Sequence, residues 1–428
     1  MNLRSIFFAI GFLFFTTISL QAQKVKPIKS KDELKNQKTY RSWSEAMANK
    51  KRVYILNLDS KKLTKIPSKI SKLRNLQVLY LRNNQISSLP PELFQLQNLQ
   101  VLALGENKLT EIPVGITKLK NLEELDFFSN YISEVPKELG KLSKLKTLDL
   151  NWNQIMELPD EIGELEVLEK LYTEKNKLVT LPESISRLIN LTEFKVSENK
   201  LEKLPKEFGN LVLLNELNLE KNALVALPAS IGNIKNLKKL NISQNRLTKI
   251  PDELGALENL EELNLSNNKI KQVTGNSINL PNVTSIDLSI NKISIFTAKM
   301  GSLKKLEAID VSINSLSAVP TNIGYAANLK TINLNQNRIK RVDGSIYRLS
   351  KLEELDLSEN AIEKVDKSLG ALKSLKMLNL NNNRILYFNK QLSGMKALKE
   401  LHIERNPKLN DFQKKQIKKF FPNTNIYF

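Results

Sequence analysis

The sequence predicts an α/β solenoid: a horseshoe or arc of short stacked units. A parallel β-sheet should line its concave side, with short 3₁₀, helical or irregular segments on the convex side. Three observations predict it. An asparagine recurs every 23 residues, fifteen times without a miss, from Asn84 to Asn406. An apolar frame keeps the same phase through fifteen units, residues 53–397. Nothing interrupts that phase, so 428 residues read as one stacked array rather than two or three domains.

One unit runs Leu76-x-x-Leu79-x-Leu81-x-x-Asn84-x-Ile86-x-x-Leu89-Pro90-x-x-Leu93-x-x-Leu96-x-Asn98. Leu79 and Leu81 alternate with period two, which predicts a short strand with one face buried. Behind Pro90 the apolar residues stand three apart, which predicts a tight turn or 3₁₀ segment. At these residues the chain resembles the leucine-rich repeat family, in its 23-residue form with Leu-Pro at the turn. The resemblance covers nearly the whole mature chain and implies a bacterial exported repeat protein that binds through its concave face.

The residue types have physical reasons. About seven apolar side chains cannot be buried inside 23 residues alone, and stacking merges them into one core. The asparagine sits where the chain leaves its strand. Its amide can both donate and accept, so successive copies can satisfy neighbouring main chains as a ladder. That use leaves it nothing with which to hold a ligand.

An apolar run from Ile6 to Leu20 behind Arg4 has the length of a secretory signal, with cleavage expected near Ala22. Residues 23–41 form a basic stretch, expected to be a loose leader. Residues 42–52 should make a helical cap, with Ser42 and Glu45 at capping-box spacing and Trp43 as a lid. Lys61 replaces the asparagine in the first unit, where no preceding turn needs it. Residues 398–428 hold a last partial repeat and a second cap: a helix over 412–421 with Ile417, Phe420 and Phe421 inward, then an edge strand at 425–428. In units one to nine a proline follows the turn leucine, from Pro67 to Pro251. Later units carry Thr274, Thr297, Pro320, Asp343, Asp366 and Asn389 there, so their convex segments should be looser or differently wound.

Composition excludes several function classes. There is no cysteine and one histidine, His402, expected to be solvated on an outward strand position. Neither disulfide nor thiolate chemistry is available, and no cofactor or metal is expected. The net charge is +20, but the outward strand positions sum to a negative value. The concave face is therefore wrong for nucleic acid. The basic convex side suits peripheral contact with an anionic envelope, although solvated lysine turns explain it more simply. No second apolar run could span a membrane. The expected location is exported: periplasm, outer surface or medium, as a monomer.

The pattern breaks toward function in one region. In units eight to fifteen the middle outward strand position is always Asn or Asp, from Asn218 to Asn379. Units two to seven place Tyr80, Ala103, Asp126, Asp149, Tyr172 and Lys195 there, flanked by Arg82, Gly105, Glu124, Phe128 and Trp152. Large aromatics have no burial reason to face outward, and such residues dominate binding hot spots. The candidate ligand-binding residues are therefore Tyr80, Arg82, Glu124, Asp126, Phe128, Asp149, Trp152, Tyr172 and Lys195, with a dip at Ala103 and Gly105. The Asp126–Asp149 pair recurs as Asp287–Asp310, so its spacing follows from the repeat and no enzyme is expected. A protein or peptide is the expected partner. A glycan-binding surface adhesin and a structural envelope component are the competing readings.

Overall fold

The computed structural model describes residues 28–342 and 345–428. The expected secretory signal, residues 1–22, lies outside the described residues. From Thr39 to Tyr427 the strands form one eighteen-stranded, all-parallel sheet. Each unit contributes three residues, as in Val78–Tyr80, and pairs with the next at an offset of one repeat: Leu79 with Leu102, Leu102 with Leu125. The middle residue of each repeat's strand, leucine in most units and phenylalanine or isoleucine at Phe194, Ile286, Ile309 and Ile332, points inward and is buried, while its two neighbours face the concave side. On the convex side Pro91–Gln95 and its counterparts are single 3₁₀ turns, behind prolines such as Pro90 whose ring presets φ at −74°. Leu93 and Leu96 are buried three residues apart, the spacing at which 3₁₀ side chains eclipse. One apolar cluster runs from Tyr40 to Phe421.

The asparagine ladder is present throughout the array. Asn245 shows the pattern: its Nδ2 donates to the carbonyls of Leu219 (2.9 Å), Ile242 (3.1 Å) and Ser243 (3.1 Å). Its Oδ1 accepts the N–H of Leu224 in the preceding turn at 3.0 Å. One side chain thus serves four backbone groups on two turns, groups that burial would otherwise leave unpaired. In the first unit, where Lys61 stands, Asn84 accepts from both Lys61 N and Leu63 N. A second, outer row does less: Asn98, Asn121, Asn190, Asn236 and Asn259 each donate one bond to the preceding turn at the strand-entry edge.

After residue 270 the array continues without a break, Glu262 pairing with Ser285 in the sheet. The convex side is rewound rather than loosened. Gln272–Val273 pairs with Ile295–Phe296, and Arg341–Val342 with Lys364–Val365, as small parallel ladders. Thr297 N donates to Val273 O at 2.8 Å, a bond that proline at this position lacks the hydrogen to make. Where Pro320 returns, no such ladder includes its unit.

Both ends are covered. Asn410 caps α3 (numbering the helices in chain order, α1 Lys31–Lys35, α2 Trp43–Ala48 and α3 Asp411–Phe420) in a full capping box with Gln413. Ile417 and Phe421 are buried, and Asn425–Tyr427 extends the sheet. His402 departs from its solvated expectation: Tyr427 stacks on its ring at 4.4 Å. At the other end Trp43 and Met47 pack on the core from α2. Its box is half formed. Ser42 Oγ accepts from Glu45 N, but the Glu45 carboxylate pairs with Lys38 at 2.7 Å. The expected loose leader is the main difference. Residues 31–35 are helical with a Ser30–Glu33 capping box, and Thr39–Tyr40 is the first strand of the sheet. Buried Leu34 and Tyr40 anchor the segment, contacts that its basic composition conceals.

Removing an inner ladder residue should cost far more than removing an outer one. Asn245→Ala should destabilise by at least about 3 kcal/mol and Asn259→Ala by about 1 kcal/mol or less in urea unfolding. Equal losses would contradict the ladder's role.

Candidate functional site

The monotonous Asn/Asp row has a task. Each residue accepts the backbone N–H two places on, as Asn264 does from Ser266 (3.0 Å) and Asp310 from Ser312 (2.8 Å). Tyr80 and Tyr172 cannot accept in this way. In both cases the preceding unit supplies the acceptor: Asp59 Oδ1 takes Arg82 N at 2.6 Å, and Asn151 Oδ1 takes Glu174 N at 2.6 Å. His402 is served likewise by Asn381, which takes Glu404 N at 2.7 Å. The aromatics are therefore accommodated by a second substitution 21 residues earlier. Asp59 and Asn151 went unrecognised in the sequence, although each carries an Asx side chain one unit before a missing one.

The nine candidates divide into two groups. Tyr80, Arg82, Glu124 and Asp126 are engaged with other parts of the chain. Arg82 Nε reaches across the Ala103/Gly105 dip to Asp126 Oδ2 at 2.6 Å, so the expected hollow is bridged. Glu124 pairs with Lys31 at 2.7 Å, and Tyr80 flanks the small cluster around Leu34. Phe128, Asp149, Trp152, Tyr172 and Lys195 form the second group, whose contacts stay within their own or neighbouring units. Tyr172 Oη donates to Glu193 Oε2 at 2.8 Å, and Lys195 Nζ lies 2.9 Å from Glu193 Oε1. Elsewhere strand charges pair with the neighbouring unit, as in Lys239–Glu262 (2.8 Å) and Lys376–Glu353 (2.6 Å).

Trp152 lies on the rim, where the chain leaves the sheet, rather than on the strand itself. The residue before each ladder position has positive φ, and for Trp152 it is 55°. A tryptophan held left-handed costs on the order of 1 kcal/mol over asparagine or glycine. Burial does not offset this, since Trp152 is 48% exposed. Its ring meets Phe128 at 6.1 Å, tilted by 56°, with Lys175 Nζ 3.5 Å from its centroid. Beside it is a shallow depression of about 490 Å³, lined among others by Glu106, Tyr131, Gln154 and Lys175. Tyr131, 54% exposed, was missed; an aromatic directly after the ladder asparagine was its signal. The opposite rim of units five to seven exposes Val167, Ile189, Val212 and Leu213. Val167 and Leu213 occupy outer-row positions that hold asparagine in several other units.

Asp149 is the unusual acid. Burial pushes its carboxyl up to about 6, helped by neighbouring Asp126 and Glu174 and opposed by the Asn151 N–H bond and Arg82. Burial and the bond to Glu193 raise the Tyr172 hydroxyl. Burial raises Glu193 too, but bonds from Lys195 and Tyr172 outweigh it and hold the carboxyl below its usual range. Among the described residues no group of three or more acidic, His or Cys side chains is placed to hold a metal ion.

Comparison with known proteins points one way. The family model described as a leucine-rich repeat region matches residues 46–157 and 194–311; a second leucine-rich repeat model matches 304–362 and 354–407. A leucine-rich repeat protein of Leptospira interrogans is similar at 34% identity, with a TM-score of 0.77 over 92% of this chain and 100% of that one. A plant peptide hormone receptor solved in complex with RGF2 is similar at 27% identity, TM-score 0.62, over 87% of this chain and 71% of that one. The functional domain of InlJ from Listeria monocytogenes shares the fold at 24% identity, TM-score 0.60, over 81% of this chain and 67% of that one. No curated protein matches the chain.

A carboxyl with a raised folded pKa disfavours its ionised form in the fold. Its effect on stability is therefore absent below the unfolded value near 4 and grows as a loss while pH rises through about 6. Asp149→Asn keeps the acceptor for Asn151 N and removes the charge. It should be more stable than the parent by on the order of 1–2 kcal/mol at pH 8 and lack the parent's decline between about pH 4 and 6.5. Parallel urea-stability curves across that range would show that Asp149 is not responsible.

Proposed function

We infer the function from the premise that the chain belongs to the leucine-rich repeat family. The protein is a non-catalytic scaffold that captures a protein or peptide with the open part of its concave face and the adjoining rim. Trp152 carries this reading. Its half-exposed indole occupies a left-handed backbone position beside Phe128 and Tyr131, over an open depression. Folding gains little from such a residue, whereas a partner covering it would gain the burial of a large, rigid aromatic surface.

Three further features support the same units. Tyr172 is retained through the compensating acceptor on Asn151. Apolar side chains at Val167, Ile189, Val212 and Leu213 expose the opposite rim of units five to seven, so a partner could grip both edges. The stacked sheet is preformed, so little ordering entropy is lost on binding. The plant receptor similar to this chain is a peptide hormone receptor, which accords with a peptide-sized ligand. No helix among the described residues is long and apolar enough to cross a membrane. With the apolar run from Ile6 to Leu20 acting as an export signal, the scaffold would work outside the cytoplasm of a bacterium.

Trp152→Ala combined with Tyr172→Ala should abolish capture of the partner from periplasm or culture medium. The melting temperature should move by no more than about 2–3 °C, because both side chains face outward. Equal capture by the double variant would end this reading. Binding to a glycan array, lost in the same variant, would transfer the site to sugar recognition.

A further inference from the structure

Residues 28–36 lie across the strand-entry side of units one to four, on the end of the concave face that the open site does not reach. Gln77 reads the main chain of this segment in both directions: Oε1 accepts Lys29 N at 3.1 Å, and Nε2 donates to Lys29 O at 3.0 Å. Nε2 also donates to Gln100 Oε1 at 2.7 Å, Gln100 continues to Glu123, and Lys146 closes the row on Glu123 at 3.1 Å. Lys31 places its ammonium 2.7 Å from Glu124 and 3.9 Å from Glu123. Three residues on, Leu34 is buried with Tyr54 and Val78, flanked by Ile55, Tyr80 and Val101. This small cluster is separate from the solenoid core.

The segment is held the way a bound peptide is held. It has a main-chain clamp, a lysine in an acidic row, and one apolar anchor in a hollow of the sheet face. Its five-residue helix is far too short to be stable alone and exists only while docked. One buried leucine, the two Gln77 bonds and an ion pair more than half exposed at Lys31 are few contacts to set against the ordering of nine residues, so undocking is accessible.

We propose that residues 28–36 are a reversible intramolecular strap occupying the first third of the binding face, and that the partner displacing it carries the same chemistry: a lysine with an apolar residue three positions on. This rests on the concave-face reading and supplies its partner class. Lys146 and Lys170 interrupt the acidic side chains beyond the strap, and these return at Glu169 and Glu193, so a longer segment with spaced lysines could replace the strap and reach Tyr172 as well.

The absence of cysteine permits a direct test. Val78→Cys places a single thiol beneath Leu34, and its alkylation rate reports whether the strap is docked. In the full chain, adding Lys31→Glu and Leu34→Asp should raise that rate about tenfold or more while the melting temperature stays within about 2–3 °C. A synthetic peptide of residues 28–38, at about 1 mM, should then restore protection. An unchanged rate on release would overturn the strap. A fall in melting temperature beyond about 10 °C would make the segment a structural cap instead, and failure of the peptide to protect would overturn the partner chemistry. The readout at Val78 requires no capture of an external partner, so it fails independently of Trp152 and Tyr172.

Discussion

The structure depends on one shared side chain per turn. Each inner asparagine accepts an N–H from the turn before it and donates to carbonyls of that turn and its own, as Asn245 does across Leu219, Leu224, Ile242 and Ser243. Leucine burial supplies the driving force for stacking and already opposes a slip that would turn the apolar residues outward. The ladder adds a polar penalty, because the same slip leaves buried polar groups without partners. A fixed register in turn places outward side chains from successive units in straight rows, strand beside strand. Binding residues on such a face are held at set spacing before any partner arrives.

Most of the architecture could be read from the chain because it is encoded locally and repeated. The strand, turn, ladder and both caps follow from apolar spacing, proline position and capping residues. The loss of proline after residue 270 pointed to the right place, and its consequence was a gain: Thr297 brings back an N–H, and convex ladders form. What escaped the sequence was non-local. Lys31 meets Glu124 across 93 residues, a pairing no periodicity announces, so a docked segment read as a loose leader. Arg82 spans two units to Asp126 and closes what looked like a dip. Trp152 was recognised as a departure, but its rim position and positive φ depend on the ladder turn itself.

Departures from the repeat come with adjustments elsewhere. Tyr80, Tyr172 and His402 each displace an acceptor, and Asp59, Asn151 and Asn381 replace it from the neighbouring unit. Trp152 adds backbone strain without burial, and Asp149 carries a carboxyl where asparagine would avoid the cost of a buried charge. Both lie in unit five, beside the end of the face covered by residues 28–36. Later units hold Asn and Asp in unbroken sequence at the middle strand position, although exposed Ile290 and Ile313 take the same left-handed backbone position there.

The central claim is that the inner asparagines, rather than apolar packing alone, lock each turn to the next. Amide hydrogen exchange tests it most directly, at the N–H groups that ladder oxygens accept, such as Leu224, Leu247 and Leu201. These amides should exchange only at the rate of cooperative unfolding, and Asn245→Ala should release Leu224 while leaving amides several turns away protected. Exchange at Leu224 as fast as in the exposed turns of the parent protein, or no change on substitution, would contradict the account.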